Sequence, residues 1–438
     1  MTRSRYREGQ EGQALLSVLI AVTLLSLVGA AMTALWLRGV ILAQRRAEGV
    51  AALYAAEAGI ARGMEELVAG GIAGPATWQG SVGTPPFDAS FTGWFGPRGD
   101  GTYELVSTGI KGRSRRTVRV VVATPFFLPL YAADILKVRA VPSPHEFVHF
   151  SSAPAYGSKV EVDDNVSPQP VKLALDLPRI PFAAFAEAAG QVPDLGTSLP
   201  GLSDMLTDGW YKGGRGCDDW PKGEDRTVTV AAGAVAGIAG DVHCGSGTLV
   251  IKAGATLVIT DNLKVGGLVL EDGARLITGG NFDVGTVELR VTPAGTGGAL
   301  VAVGGSVVVS GIDEVVDATG LHPLIILALD RRGCTAPACG QDDNSNDITI
   351  KGATATGLVV YAGPLPHKPP QVFVEYGAKA KNGIMEVRGT VVSAGHLELT
   401  VHQGSLQFHA DPAVVGRLMA LTPGAGIWTP LHWVESGG

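Results

Sequence analysis

The sequence predicts an α+β protein in which a long N-terminal helix packs on a small antiparallel sheet, with a large parallel β-solenoid inserted into that sheet. Three observations predict this fold. An uncharged apolar run near the N-terminus continues into a proline-free stretch, two alternating segments follow as a hairpin, and the second half of the chain carries a β-rich repeat. The expected parts are a leader at 1–12, the helix at 13–70, the sheet at 71–132, an irregular connector and cap at 133–222, the solenoid at 223–415 and a return strand at 416–438.

The helix begins with a run that lacks any ionisable side chain, from Gln13 to Leu37. A bilayer-spanning helix needs ~20 residues at 1.5 Å rise each, so this run is long enough to cross a membrane. Arg3, Arg5 and Arg7 precede it and place the N-terminus on the cytoplasmic side. We therefore expect residues 13–37 to lie in a membrane or in the core of a filament.

Helical character continues beyond the apolar run. Residues 38–69 contain no proline and are rich in strong helix formers, and Gly70 and Gly71 then end the helix. Apolar residues at three- and four-residue steps predict one buried stripe. The stripe consists of Val50, Leu53, Tyr54, Ala58, Ala61, Met64, Leu67 and Val68.

A cleaved secretory signal peptide is the alternative interpretation of the N-terminus. The retained helix is favoured because the run exceeds the ~7–15 apolar residues of a signal peptide. No A-x-A cleavage site follows it either.

Composition limits the classes of function. The chain has 438 residues, of which 46% are hydrophobic and 17% charged, so two or three domains with a large core are expected. The net charge of −7 argues against a protein-wide basic surface for DNA.

Four cysteines, Cys217, Cys244, Cys334 and Cys339, follow the apolar run. An even number in an exported region suggests two disulfides, Cys217–Cys244 and Cys334–Cys339. A metal site is the alternative, but no C-x-x-C or paired-histidine spacing supports it. We expect no metal site and no cofactor.

The small sheet is expected to begin after a loop at 71–100. Tyr103–Thr108 and Thr117–Val122 alternate between apolar and polar residues, and Lys111–Arg116 between them predicts a hairpin turn. The C-terminal segment Ile427–Glu435 predicts a last strand that returns to this sheet, which would make the solenoid an insertion.

The repeat predicts the solenoid. Gly254–Leu270 aligns without gaps on Gly273–Leu289, and Ala299–Val309 follows the same pattern after a short insertion. A β-rich unit of about 20 residues cannot bury its apolar face alone, so such units stack. Each unit is expected to hold three short strands.

The N-terminus resembles that of type IV pilins and type II pseudopilins, which carry a short basic leader, a glycine before the junction and an apolar helix half. The stretch Ala55–Ile60 resembles that of PilX-like minor pilins. The resemblance implies that a prepilin peptidase cuts after Gly12 and that Gln13 becomes the methylated N-terminus. The family usually has Glu at the fifth mature position, whereas this chain has Ser17. An unpaired charge is costly in a low-dielectric core, so the missing Glu suits a tip subunit with no neighbour above it; a divergent shaft subunit is the alternative.

Catalytic and metal sites need consideration because β-solenoids also occur in carbohydrate-active enzymes. The paired acids are Asp218–Asp219, Asp313–Glu314 and Asp342–Asp343, and each lies in a turn-like context where Asp is common. Residues 341–347 are rich in oxygen ligands but lack the spacing of a calcium loop. We expect no enzyme activity.

Two patches combine basic and aromatic residues, the pattern by which proteins pair phosphates and stack bases. We predict DNA-binding residues in both, although the first also suits a cap on the solenoid and the second a solvated sheet edge. The first patch comprises Trp210, Tyr211, Lys212, Arg215, Trp220 and Lys222, and the first four of these are the predicted DNA-binding residues. In the second patch the predicted residues are Lys368, Lys379, Lys381 and Arg388.

The resemblance to competence-type minor pilins implies a tip subunit that binds extracellular DNA during uptake for natural transformation. Its expected partners are other pilins, the prepilin peptidase, DNA and, before assembly, the inner membrane. The head would then lie in the periplasm or outside the cell. A structural tip pilin or adhesin that binds surfaces or polysaccharide, and a type II secretion pseudopilin, are the alternatives.

Overall fold

The computed structural model describes most of the chain. The described residues are 5–68, 75–84, 88–98, 102–140, 147–150, 155–172, 174–175, 177, 179–194, 199–214, 216–222, 226–290, 298–314, 323–332, 345–353, 357–365, 367–377, 384–402, 405–411, 414, 418 and 429–437.

One helix, Arg5–Val68 (α1), forms the N-terminal part. It begins well before the expected start at Gln13, so most of the expected leader is helical as well. The large apolar side chains from Leu15 to Leu42 are exposed, and α1 is long and apolar enough to cross a membrane. Within the described part of the chain, only the second half of the helix packs on other elements.

That second half covers one face of a five-stranded antiparallel sheet. Its strands are Ala76–Val82 (β1), Ala89–Pro97 (β2), Tyr103–Lys111 (β3), Ser114–Ala123 (β4) and Thr429–Gly437 (β27), in the order β1-β2-β3-β4-β27. The expected hairpin is present, with its turn at Gly112–Arg113. The C-terminal strand pairs with β4 as expected. Residues 71–100 are not a loop, because β1 and β2 occupy most of them; small residues such as Gly80 and Gly93 hid the alternation.

The buried stripe of α1 agrees with the expected one only in part: Leu67 is buried and Leu53, Ala58 and Met64 pack against the core, but other members are exposed. Ala52, Ala55, Ala56, Gly59, Ile60, Gly63 and Leu67 are buried, whereas Val50 and Tyr54 are more than half exposed. The reason is the short distance between helix and sheet: a Cβ on Gly109 would lie 1.9 Å from the carbonyl oxygen of Ala52. The indole of Trp78 also donates to the Gly59 carbonyl at 2.8 Å. A contact this close selects small residues over large apolar ones.

The remaining strands form the parallel β-solenoid predicted from the repeat. In chain order they are Leu130–Ala140 (β5), Val148–Phe150 (β6), Tyr156–Val162 (β7), Val166–Ser167 (β8), Val171–Lys172 (β9), Met205–Leu206 (β10), Gly209–Gly214 (β11), Thr227–Val230 (β12), Val235–Ile251 (β13), Thr256–Ile259 (β14), Leu263–Glu271 (β15), Arg275–Thr278 (β16), Phe282–Arg290 (β17), Ala299–Val303 (β18), Val307–Glu314 (β19), Leu324–Ala328 (β20), Ile348–Ala353 (β21), Gly357–Ala362 (β22), Gln371–Gly377 (β23), Ile384–Ser393 (β24), His396–His402 (β25) and Ser405–His409 (β26).

The ladder register follows the sequence repeat. Leu257 pairs with Leu276 and Val265 with Val284, as in the ungapped alignment, and Val284 pairs with Val309 across the short insertion. Pairing skips Gly266 in the middle of β15 and resumes at Gly267, so one unit has three straight segments as expected. A Cβ on Gly285 would lie 2.4 Å from the Gly266 carbonyl oxygen, which explains why this corner needs glycine.

The solenoid starts earlier than expected. Residues 133–222 are not an irregular connector, because β5 to β9 stack on the last turn of the solenoid and β10 and β11 form its other end. We call the end with β5 to β9 the proximal end and the end with β10 and β11 the distal end. One face runs from β11 to β9 through eleven strand levels, roughly 48 Å at ~4.8 Å per level.

A segment at 174–194, which we call the strap, links the two ends across the outer surface of this face. It includes the short helix Ala183–Ala186 (α2), where a helical patch was expected. Its buried side chains include Phe182 and Phe185, which share one core cluster with Ile325 and Val359 of the solenoid. Tyr131 fixes the start of the strap through its hydroxyl, which donates to the Leu175 carbonyl at 3.0 Å and accepts from its amide at 2.7 Å.

Aromatic contacts join the small sheet to the proximal part of the solenoid. Tyr103 stacks on Phe95 and meets Phe127 edge-on at 4.8 Å, while Phe126 lies 5.4 Å from Tyr361. Burial raises the pKa of Tyr103 to about 12, so this residue stays neutral. The two parts therefore share a continuous core.

Candidate functional site

The first predicted patch lies at the distal end of the solenoid. β11 is the outermost strand on its face, and a 3-10 turn at Cys217–Asp219 follows it. A disulfide joins Cys217 to Cys244 of the next level, as expected, and so ties this turn to β13. Cys334 and Cys339 lie outside the described residues.

The aromatic residues of this patch close the end of the stack. Tyr211 is buried, and its hydroxyl accepts a hydrogen bond from the Thr207 amide at 3.0 Å. Trp210 is half-buried with its ring against Gly237, and Trp220 is buried against Gly247. Of these three rings, only that of Trp210 offers part of a face to a base.

Cations remain exposed around this cap. The side chain of Lys212 is exposed and that of Lys222 lies in the same region, whereas Arg215 lies outside the described residues. Asp218 and Asp219 belong to the same turn, so lysines and carboxylates alternate there. The distal end therefore offers local positive charge and no continuous basic groove among the described residues.

The second patch lies toward the proximal end, and its described cations are paired. Lys368 contacts Asp347 at 2.8 Å and Arg388 contacts Asp411 at 3.6 Å. Burial opposes ionisation of Asp347, but hydrogen bonds from Lys368, Ser345 and the Gln371 amide outweigh it and lower its pKa. Lys379 and Lys381 lie outside the described residues.

The two patches are not brought together. Trp210 and Val392, which belongs to the same strand as Arg388, are seven ladder steps apart on one face, roughly 34 Å. One extended ligand could touch both patches, whereas a small ligand could not.

The paired acids form no carboxylate site that the described residues reveal. Asp218 and Asp219 are at the distal cap, the side chains of Asp313 and Glu314 are not described, and Asp342 and Asp343 lie outside the described residues. Within the described parts of the chain, no group of three or more metal-ligating side chains occurs.

A cavity of about 280 Å³ was missed by the sequence analysis. It lies where the strap passes the solenoid and is lined in part by Arg179, Asp330, Arg332 and Leu365. The hydrogen bond from Arg332 lowers the pKa of Asp330, and it outweighs burial, which acts in the opposite direction. No local signal could have revealed it, because the lining comes from three distant segments.

No protein-family model matches the chain, and no curated protein matches it. Among solved structures, that of the competence-associated pilin ComZ from Thermus thermophilus is similar over 89% of this chain and 98% of that chain, with 11% sequence identity and a TM-score of 0.20. The architecture itself, an apolar N-terminal helix on a small antiparallel sheet with an inserted solenoid, is consistent with a pilin-like fold that carries an inserted domain.

Proposed function

We propose that this chain is a minor pilin at the tip of a type IV pilus and that its solenoid is a receptor for DNA in natural transformation. The observation that carries the tip assignment is where the insertion leaves the sheet. β4 and β27 pair from Arg116–Gly437 at one end to Ala123–Thr429 at the other, and the solenoid connects to the Ala123 end.

That end is the one farther from the exposed apolar half of α1. β3 runs antiparallel to the helix: Leu105 meets Gly63, Gly109 meets Ala52, and Gly112 meets Glu48. β4 returns in the opposite direction, so the chain leaves the sheet beyond the C-terminal part of the helix. A tall solenoid at that position suits a subunit with nothing stacked above it.

DNA binding is supported by the cations at the distal cap, with Lys212 and Lys222 in the same patch as the partly open ring of Trp210. The test is retardation of duplex DNA by the full chain in detergent, at increasing salt. We expect binding that falls steeply with salt, as phosphate contacts require. Lys212→Ala should weaken it several-fold, whereas Lys264→Ala, a solenoid lysine paired with Asp283 at 2.8 Å, should not. Absence of retardation at low salt would refute the receptor role.

An adhesin at the tip is the second candidate, and two observations favour it. The chain carries a net charge of −7, and the described cations of the second patch are paired with carboxylates. Deletion of the gene would then reduce attachment of cells to surfaces while their DNA uptake stays normal.

The processing step separates both pilus functions from a secreted enzyme. We propose cleavage after Gly12 and methylation of Gln13, and no enzyme activity. N-terminal sequencing of the mature protein checks this, because a signal-peptidase cut near residue 30 would contradict it.

A further inference from the structure

The turn of the β3–β4 hairpin brings arginines to the level of Glu48 in α1, ~15 Å beyond Arg38 at the end of the apolar run. The contacts of β3 with the helix step from Gly63 through Gly59 and Ala52 to Glu48, so the hairpin points toward the N-terminal half of α1. At its tip, Gly112 lies against the Glu48 carboxylate, with a positive φ of 56°. Arg113 and Arg115 are exposed there, and Arg116 lies near Gly49.

Three arginines of the helix lie between the end of the apolar run and this hairpin. Arg45 precedes Glu48 and Gly49 by three and four positions and therefore lies on the sheet side of α1, one turn below the hairpin. Arg38 lies two turns before Arg45 on that side and ends the apolar run, and Arg46 is at the same level as Arg45. All three side chains are exposed.

We call five of these residues, Arg38, Arg45, Arg46, Arg113 and Arg115, the basic collar. The acids described near it are Glu48, against the hairpin turn, and Asp88, which pairs with Lys111 at 3.6 Å. The collar thus keeps a strong positive excess although the whole chain is acidic. Only the folded hairpin unites it, since the helix arginines and the hairpin arginines belong to distant parts of the sequence.

We propose that the basic collar binds the phosphates of anionic phospholipids and so holds the head against the membrane before assembly. Arg38 to Glu48 rises ~15 Å, which covers the headgroup layer and the space just above it. The apolar run is ~37 Å long, whereas the hydrocarbon core of a bilayer is ~30 Å thick. A helix of this length tilts in the membrane, which brings one side of the head closer to the headgroups. Guanidinium groups pair phosphates bidentately. Headgroups with a net negative charge therefore suit the collar better than neutral headgroups do.

The inference rests on the proposal that α1 spans the membrane before assembly, and the first measurement tests that alone. The full chain is reconstituted into vesicles of phosphatidylcholine, with or without phosphatidylglycerol, and floated after an alkaline wash. We expect flotation with both kinds of vesicle. Loss of flotation would overturn the membrane stage and the collar together.

The second measurement is native mass spectrometry of the full chain released from mixed vesicles, with retained phosphatidylglycerol counted against phosphatidylcholine. We expect preferential retention of phosphatidylglycerol that falls at least ~10-fold in Arg113→Gln/Arg115→Gln and largely survives in Arg113→Lys/Arg115→Lys. Arg38→Gln/Arg45→Gln, which leaves the sheet untouched, should also lower it. The matched control is Arg62→Gln/Arg119→Gln, two exposed arginines higher on the same helix and sheet, and should leave it unchanged.

Flotation without a preference for phosphatidylglycerol, or a preference that the hairpin variant retains, would overturn the collar while leaving the pilin proposal intact. A preference lost equally in the control variant would show a general charge effect and would also overturn it.

Discussion

At the scale of single residues, side-chain oxygens at one corner of the solenoid hold successive levels together. The Asn262 side-chain oxygen accepts from the Asn281 amide at 2.8 Å, and that of Asn281 accepts from the Ser306 amide at 2.9 Å and its hydroxyl at 2.8 Å. Asp347 does the same for the Gln371 amide at 2.7 Å. The three bonds from amides each satisfy a backbone donor at a position where the chain turns and the strand ladder cannot.

Asn281→Ala removes one step of this ladder. We expect a loss of about 1–3 kcal/mol in the free energy of unfolding, because the Ser306 amide loses its acceptor. The measurement is urea denaturation of the full chain in detergent. The control is Asp283→Ala, which breaks an exposed ion pair with Lys264 and should cost no more than ~1 kcal/mol. Equal shifts for both variants would contradict the ladder's role.

Asp347 predicts a pH effect whose sign follows from its lowered pKa. The ionised carboxylate adds stability that is fully present above the unfolded pKa of ~3.9 and is lost as the pH falls through the lower folded value. Asp347→Asn keeps an acceptor for Gln371 but loses the charge that pairs with Lys368. The difference in urea midpoint between the unchanged chain and Asp347→Asn should therefore narrow below pH ~4. A gap independent of pH would refute this.

At the scale of elements, the attachment of α1 to the sheet depends on the absence of side chains rather than on large apolar ones. Gly59 and Gly63 of the helix face Ser107 and Leu105, and Gly109 faces the helix backbone. The sequence pattern predicted the helix clearly but only part of its buried side, because the expected stripe left out the glycines and most of the alanines that face the sheet. Val50 and Tyr54 are instead exposed.

Gly109→Ala tests this close contact. Its Cβ would lie 1.9 Å from the Ala52 carbonyl oxygen and 2.6 Å from the Ala56 nitrogen, and backbone atoms cannot rotate away. We expect a destabilisation of about 1–3 kcal/mol and faster amide exchange in the second half of α1.

Gly190→Ala is the control for that variant, because no atom lies within 4 Å of the new Cβ. Its effect should stay within ~0.5 kcal/mol. If amide exchange in α1 were unchanged by Gly109→Ala, the helix would not depend on this glycine.

At the scale of the whole molecule, the first strand of the solenoid stacks on its last turn before the chain returns to the sheet. β5, its first strand, pairs with β24 and β25 of its last turn, so the chain enters and leaves at the same end. This arrangement lets the long segment between Ala123 and Thr429 be inserted between the neighbouring strands β4 and β27.

Truncation before β27 should therefore affect the small sheet and the solenoid differently. Removing residues 429–438 leaves β4 as an edge strand that is paired only with β3, so the β4 amides that face β27 should lose protection from hydrogen exchange by at least ~10-fold. The amides of β14 to β17 should keep theirs, because their ladder partners remain. Equal loss of protection in both regions would show that the parts fold as one unit.

The elements that could be predicted from the amino-acid sequence are those whose partners are near in the chain or periodic. The apolar run, the hairpin and the repeat are local signals, and the repeat offset equals the ladder register because each level pairs with the next. The buried side of α1, the pairing of β5 with the last turn, the strap and the position of the hairpin turn beside Glu48 emerge only in the folded chain. These features depend on contacts between distant segments, whose free energy comes from shape and burial and leaves no periodic trace in the sequence.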